Sequence, residues 1–530
     1  MYVNVNDKKN NPITRRRLLK DAAIAGMAGA IAPLTGMASA GNEQPEPAKR
    51  GIIAAENEKP GTTDWQLTYV RSEKYRSAII EGFCSHTSAS AGETIDIYLS
   101  ANPAATVSVH IYRMGYYSGK GGRHITTLGP FLVETQPTPA AGEHRLRECR
   151  WQTAVSLTIG ADWVSGVYLG KLSCAEHRYE SYIIFVVKDS RKADVLVQTS
   201  DTTWQAYNKW PENDSLYDSD PPQRSWNATT WVSYDRPYGW YPQVVDQALS
   251  QGSGEFLLWE FPFCFWLEQH GYDVTYCANA DTHTNDAKLN RVKSFFSVGH
   301  DEYWSLEMYS NVREAIEAGL NVGFLCGDSV TAVIPLYQLN GEARPHRIVR
   351  RTGMFGGILE QDRKLFEKMS SGWGYDVLHE NWEKHGPSQA LMVGGRTTYP
   401  GNGTGDWVVS NDKHWIFEGT GMKNGDFIPG LVGWEFASDP PLQVPGIEIL
   451  ASGEVRRGDD STSSYAATIY PGPKGNWVFN AATIFWSIGL SQPPGFNFPF
   501  THLGRPHGPD ERVQTITSNF LKRCGVRIPT

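Results

Sequence analysis

After residue 40 this chain of 530 residues contains no apolar run long enough to cross a bilayer. None of its seven cysteines forms a C-x-x-C or another zinc spacing, which argues against a cysteine-held metal. An excess of basic charge is also missing. The formal net charge is −8, which disfavours nucleic acid and anionic membrane as partners. There is no internal repeat, and no low-complexity segment beyond the amino-terminal region. Aromatic rings, by contrast, are plentiful, with 18 Trp, 24 Tyr and 21 Phe beside 52 Gly and 31 Pro. That composition suits a loop-rich protein with β-structure and a ring-lined pocket.

The amino terminus has a basic stretch, Arg15-Arg16-Arg17-Leu18-Leu19-Lys20, then a short apolar run from Ala22 to Leu34, then Ala38-Ser39-Ala40. This is the layout of a twin-arginine signal peptide over residues 1–40, cleaved after an A-x-A site. It implies the twin-arginine translocase as export partner, a periplasmic or extracellular location, and no membrane insertion of the mature chain. Substrates of that route cross already folded, often with a cofactor in place. Removing the segment takes away a net +4 and leaves −12 on about 490 residues, enough for two or three domains.

Residues 41–62 read as a polar, Pro-containing linker. From 63 to 190, runs such as Thr94–Leu99, Val107–Tyr112 and Ser181–Val187 alternate with period two at roughly ten-residue spacing. That pattern predicts an antiparallel β-sandwich, and Cys149 with Cys174 is its candidate disulfide. An odd cysteine count leaves at least one thiol free. From 191 to 530 strands alternate with helices, an α/β pattern. The fold class is therefore α/β plus β: a sandwich followed by an α/β catalytic domain of amidotransferase- or flavodoxin-like type. Within it, Phe261–Gly271 reads as a helix, Thr397–Leu490 as a Gly- and Trp-rich set of strand-like pieces, and Ser518–Cys524 as a closing helix.

Phe295–Ser305 is the most informative stretch. It begins as a buried strand, breaks at Gly299, and ends in His300, Asp301 and Glu302. Ser305 then caps a helix bearing Tyr309, Val312 and Ile316 on one face, with Gly319 as its stop. A second apolar run, Val322–Cys326, completes a βαβ unit, which puts the ionisable cluster at a strand's carboxyl end, where open α/β sheets carry their chemistry. Alternation points His300 and Glu302 to one side and Asp301 to the other. Tyr207 also follows a strand, and Tyr234 and Tyr238 lie in the loop beyond it. Phenols plus a carboxylate make a hard oxygen set suited to ferric iron. Asp281, His283 and Asp286 read as a solvated acidic loop.

Several motifs resemble those of the N,N-dimethylformamidase large-subunit family. They are Tyr112–Arg123, Gln205–Asn208, Ser233–Tyr238, Ser297–Ser305, Gly430–Glu435 and Phe479–Leu490. The resemblance implies a mononuclear iron held by two tyrosines and a glutamate, hydrolysing an amide. By position these are Tyr207, Tyr238 and Glu302, with Tyr234 and Tyr241 as alternatives for the second tyrosine. It further implies a supporting role for His300, a catalytic carboxylate in Glu435, and a substrate-binding position at Asp328, where the family looks to carry asparagine. A small-molecule substrate follows, together with a homo-oligomer or a small partner subunit. Two other functions compete. One is a cysteine hydrolase using Cys326, although Phe324 and Asp328 replace the glycines of a nucleophile elbow. The other is a non-catalytic extracytoplasmic protein that binds carbohydrate or another small molecule.

Overall fold

Alternation in the first third of the chain produces two sheets that share one apolar core. Strands β1 (Ile80–Cys84), β3 (Thr94–Ala101) and β6 (Thr153–Thr158) form the smaller sheet, in the order β1-β3-β6. The larger joins β2 (Ser88–Ala89), β4 (Ala105–Met114), β5 (Gly122–Val133), β7 (Gly166–Cys174) and β8 (Tyr179–Val187) in the order β2-β8-β7-β4-β5. Every pairing is antiparallel except that of β2 with β8. Ile95, Ile97 and Leu99 pack with Val107, Val109, Ile111, Ile183 and Phe185 between the two sheets. The computed structural model describes residues 51–70, 72–73, 75–174, 176–218, 230–240, 250–337, 347–357, 385–398, 403–458, 460–498 and 507–527. The expected signal peptide, residues 41–50 and Tyr241 lie outside the described residues.

Strands β7 and β8 are buried on both faces, because their other side meets the second half of the chain. Leu169, Tyr182 and Ile184 join a core with Phe261, Phe263 and Phe265. Arg113 on β4 crosses this junction to Glu268, with both Nη atoms 2.9 Å from the carboxylate and neither side chain exposed. Asn57 and Tyr276 donate to the same carboxylate at 2.8 Å, which satisfies an ion pair otherwise costly to bury. Asn57 ends helix α1 (Ile52–Asn57). Part of the expected linker is thus ordered, since Ile53 is apolar enough to be buried.

The second half is built on one nine-stranded sheet. Strands β9 (Ala193–Thr199), β10 (Val274–Ala278), β11 (Val292–Gly299), β12 (Asn321–Cys326), β13 (Gly403–Val408), β14 (Phe427–Trp434), β15 (Glu448–Arg457), β16 (Thr462–Pro471) and β17 (Trp477–Asn480) follow the order β10-β9-β11-β12-β17-β16-β15-β13-β14. The first five in that order run parallel and the remainder pair antiparallel. The Gly- and Trp-rich region is therefore a continuation of the α/β sheet, joined where β17 slots beside β12. Helix α2 (Asp201–Tyr207) follows β9 directly, and helix α3 (Phe261–Gln269) stops just before Gly271. Helix α4 (Leu306–Ala318) is capped by Ser305, which accepts from Met308 N at 3.0 Å, and is closed by Gly319. Helix α5 (Glu511–Arg523) begins a full turn and more before the expected Ser518, because Asp510 caps it.

All seven cysteines are buried and free. Cys149 packs with Phe83, Trp151 and Trp210, whereas Cys174 lies in the core between the amino-terminal sheets, so the expected bridge does not form. Asp281 is not a solvated loop residue: Lys188 and Ser88 both reach its carboxylate, at 2.6 and 2.8 Å. Among the described residues no helix is long and apolar enough to cross a membrane.

Candidate active site

The candidate residues converge beyond the carboxyl ends of β9, β11 and β12. Gly299 ends β11 at φ 72°, and a Cβ there would stand 2.3 Å from that of Trp259, so only glycine allows this break. The turn that follows separates its ionisable groups as alternation predicts. Asp301 faces away, accepting from Ser297 Oγ at 2.7 Å and Gln198 Nε2 at 2.8 Å, and burial lifts its carboxyl to about 6. His300 and Glu302 face the pocket.

Tyr207, the last residue of α2, donates to Glu302 Oε2 at 2.7 Å. Tyr217 donates to the Tyr207 hydroxyl at 2.6 Å and stands 3.4 Å from both Glu302 oxygens. Behind it Tyr303 donates to Tyr217 at 2.6 Å, and Arg351 donates to Tyr303. On the other side His300 Nε2 is 3.6 Å from Glu302 and 3.0 Å from Glu435 Oε2. His300 Nδ1 meets Glu255 Oε2 at 2.8 Å, and the Trp259 indole N–H donates to the same oxygen at 3.0 Å. Glu255 caps a single π-helical turn, Phe256–Glu260, that leads into α3.

Glu435 follows β14, far along the sheet. It reaches the site because its backbone lies against Gly327, where a Cβ would come within 2.0 Å of the Glu435 carbonyl oxygen. With 13% of its side chain exposed, Glu435 is the open member of a group whose His300 and Glu302 are buried to within 1%. Asp328 follows at once, hydrogen-bonded by Thr331 and Thr397. Burial and the charges of Glu302 and Glu435 push its carboxyl well above the usual range.

Tyr238 stands elsewhere. Its hydroxyl bonds to Gln205, its ring meets Trp204 edge-on at 6.0 Å, and its charged neighbours include Asp201, Arg347 and Arg236. Tyr234 also faces Asp201, donating to it at 2.9 Å. The motif Ser233–Tyr238 serves the site through Arg236 instead. That buried guanidinium donates to the carbonyls of Trp210, Asp214 and Asn208 at 2.8–2.9 Å and so holds the loop that delivers Tyr217. Leu216 N bonds to Ala206 O at 2.9 Å and ties the loop to α2. Tyr217, Glu255 and Arg351 were not legible as site residues: Tyr217 sits in a polar loop with no periodic signal, and the other two matter only through tertiary contacts. Cys326 is buried, its thiol is pushed up by burial, and its neighbour is Ser297 Oγ at 3.3 Å, so it is no exposed nucleophile.

Among the described residues no group of three or more His, Cys, Asp and Glu could hold a metal. The set that does converge is two phenols and a carboxylate, beside further carboxylates at Glu435, Asp328 and Glu255. Burial and Glu302 raise both phenols well above their ordinary range, so without a cation they keep their protons. Buried acids in this number call for a positive charge, and three hard oxygens facing one another fit a trivalent ion that can displace phenol protons. The family model described as N,N-dimethylformamidase beta subunit-like, C-terminal, matches residues 108–498, roughly three quarters of the chain. No curated protein matches it.

Proposed function

The chain belongs to the N,N-dimethylformamidase beta subunit-like family, and on that premise we propose that it is an iron-dependent hydrolase of an amide or a related C–N bond. The observation that carries this reading is the cluster of Tyr207, Tyr217 and Glu302 oxygens next to the His300–Glu435 pair. Tyr207, Tyr217 and Glu302 would hold a ferric ion, whose chemistry when bound is Lewis-acid polarisation of a substrate carbonyl without redox change. Glu435, open to solvent on one side, takes the proton of the attacking water. His300 holds Glu435 through Nε2 and passes that proton toward the departing amine. Glu255 fixes the imidazole through Nδ1. Asp328, whose carboxyl burial pushes up, can in its protonated form offer a hydrogen bond much as an amide would, which keeps a neutral amide substrate compatible with this pocket.

In the same reading the two amino-terminal sheets are a β-sandwich and the parallel half of the large sheet is amidotransferase-like. Export by the twin-arginine route, with the ion inserted before translocation, and a small partner subunit complete the proposal. The test is metal content and hydrolysis of a panel of small N-substituted amides by the natively produced protein. About one iron per chain with amine release supports the reading. A folded, iron-free protein without amide hydrolysis would overturn it.

A further inference from the structure

The loop that carries Tyr217, residues 208–218, is gripped from the first half of the chain as well as by Arg236. Trp210 is fully buried in a socket of Phe83, Cys149 and Trp151, all from that half, and its indole N–H donates to Glu81 on β1 at 2.9 Å. Four residues on, the Asp214 side chain is 2% exposed and meets two guanidiniums. Arg145 Nη2 stands 2.9 Å from Oδ1, and Arg147 Nε 3.0 Å from Oδ2. Arg145 also donates to the Asn213 carbonyl at 2.8 Å. Asp214 is thus held at both ends, since its carbonyl accepts from Arg236. Within the loop Lys209 bonds to both Asp218 oxygens, at 2.6 and 2.9 Å, and closes the turn around Tyr217.

Arg145 and Arg147 lie on an arm, residues 134–152, that joins β5 to β6. Connections longer than about 12–15 residues with so little regular structure are uncommon and usually carry a function. His144 and Arg145 both take left-handed backbone, φ 54° and 59°, which non-glycine residues hold only where the surroundings fix it. Contacts from the second half fix it here. Trp231 N donates to the His144 carbonyl at 2.9 Å, the two rings stack at 4.7 Å, and Cys149 N donates to the Asp235 carbonyl at 2.7 Å.

We propose that Arg145, Arg147 and the Trp210 socket are positioning elements of the metal centre, so that the amino-terminal half of the chain sets how firmly Tyr217 holds the ion. This rests on the proposed site of Tyr207, Tyr217 and Glu302. A ligand carried on a loop binds well only where the loop has lost its conformational freedom before the ion arrives. The Lys209–Asp218 bonds make the loop a unit. The Asp214 clamp, by charge, and the Trp210 plug, by packing, fix where that unit stands against Tyr207 and Glu302.

The experiment follows iron release from the natively produced protein to excess chelator, read by the tyrosinate-to-iron band, beside denaturation midpoints. Wild type is compared with Asp214→Asn, with the double variant Arg145→Met and Arg147→Met, and with Trp210→Phe. The last keeps a ring in the socket and remains informative if the double variant does not fold. The control is Lys188→Met, whose ammonium pairs with Asp281 at 2.6 Å across the same two halves and is as exposed as Arg147, at 20%, while Asp281 lies outside the loop. The expected result is that the folded loop variants release iron about ten-fold faster than wild type, the lower end of what a lost supporting contact costs a metal site. Lys188→Met should release it at the wild-type rate even where its midpoint falls as far. Folded loop variants that release iron at the wild-type rate would overturn the proposal and leave the site intact. Equal acceleration in Lys188→Met would overturn it as well, because the effect would then be general loosening. An iron-free wild type would overturn the site together with the proposal.

Discussion

Helix α2 separates two clusters that look alike on paper: Tyr207, Tyr217 and Glu302 at its carboxyl end, and Tyr234, Tyr238 and Asp201 at its start. Each pairs two phenols with a buried carboxylate. Asp201, however, accepts from backbone Asn279 N at 2.7 Å and from Thr199 Oγ1 at 3.2 Å as well as from Tyr234, so its oxygens are committed to holding the chain. Among the described residues every hydrogen bond to the Glu302 carboxylate comes from a phenol. A carboxylate satisfied by amide protons is structural, because those donors cannot leave. One satisfied by phenols can exchange their protons for a cation.

The largest effect separating the two clusters should be Glu302→Gln against Asp201→Asn. We expect the first to lose bound iron and fall to background activity while the second keeps both, measured by metal analysis and amine release. Next in size is Arg236→Met. Removing a guanidinium that satisfies buried carbonyls around Tyr217 should cost about 3 kcal/mol of stability, read by chemical denaturation. Glu255→Gln should leave iron bound but lower turnover by roughly 10- to 100-fold, the usual cost of losing an outer partner.

The smallest is a pH effect on the structural cluster. Burial raises the Asp201 carboxyl to about 7, above its value of about 3.9 in the unfolded chain. The folded state therefore binds more protons between those limits, and this group's contribution to stability falls as pH rises from about 4 to 7. Asp201→Asn should flatten that slope, by at most about 1.4 kcal/mol per pH unit. Denaturation midpoints at several pH values would show it.

What the sequence made legible follows from where its signals are local. Period-two alternation gave the amino-terminal strands, and the run through Gly299 with the Ser305 cap gave the βαβ unit and its ionisable turn, since sterics and capping act over a few residues. Glu435 stands 3.0 Å from His300, and Asp328 feels the charges of Glu302 and Glu435, neighbourhoods that tertiary contact sets and no local pattern carries. The second tyrosine did not emerge, because the conspicuous motif around Arg236 works by gripping a loop 22 to 28 residues upstream. Nor did the joining of the carboxy-terminal strands onto the parallel sheet, which depends on β17 pairing with a strand some 150 residues earlier. The Cys149–Cys174 bridge failed for the same reason: neighbours in strand order occupy different cores.

The most direct test sets Tyr217→Phe beside Tyr238→Phe in the natively produced protein and measures iron per chain with the visible spectrum. The account predicts that Tyr217→Phe loses the iron and its band while Tyr238→Phe retains both. Retention in Tyr217→Phe with loss in Tyr238→Phe would contradict it.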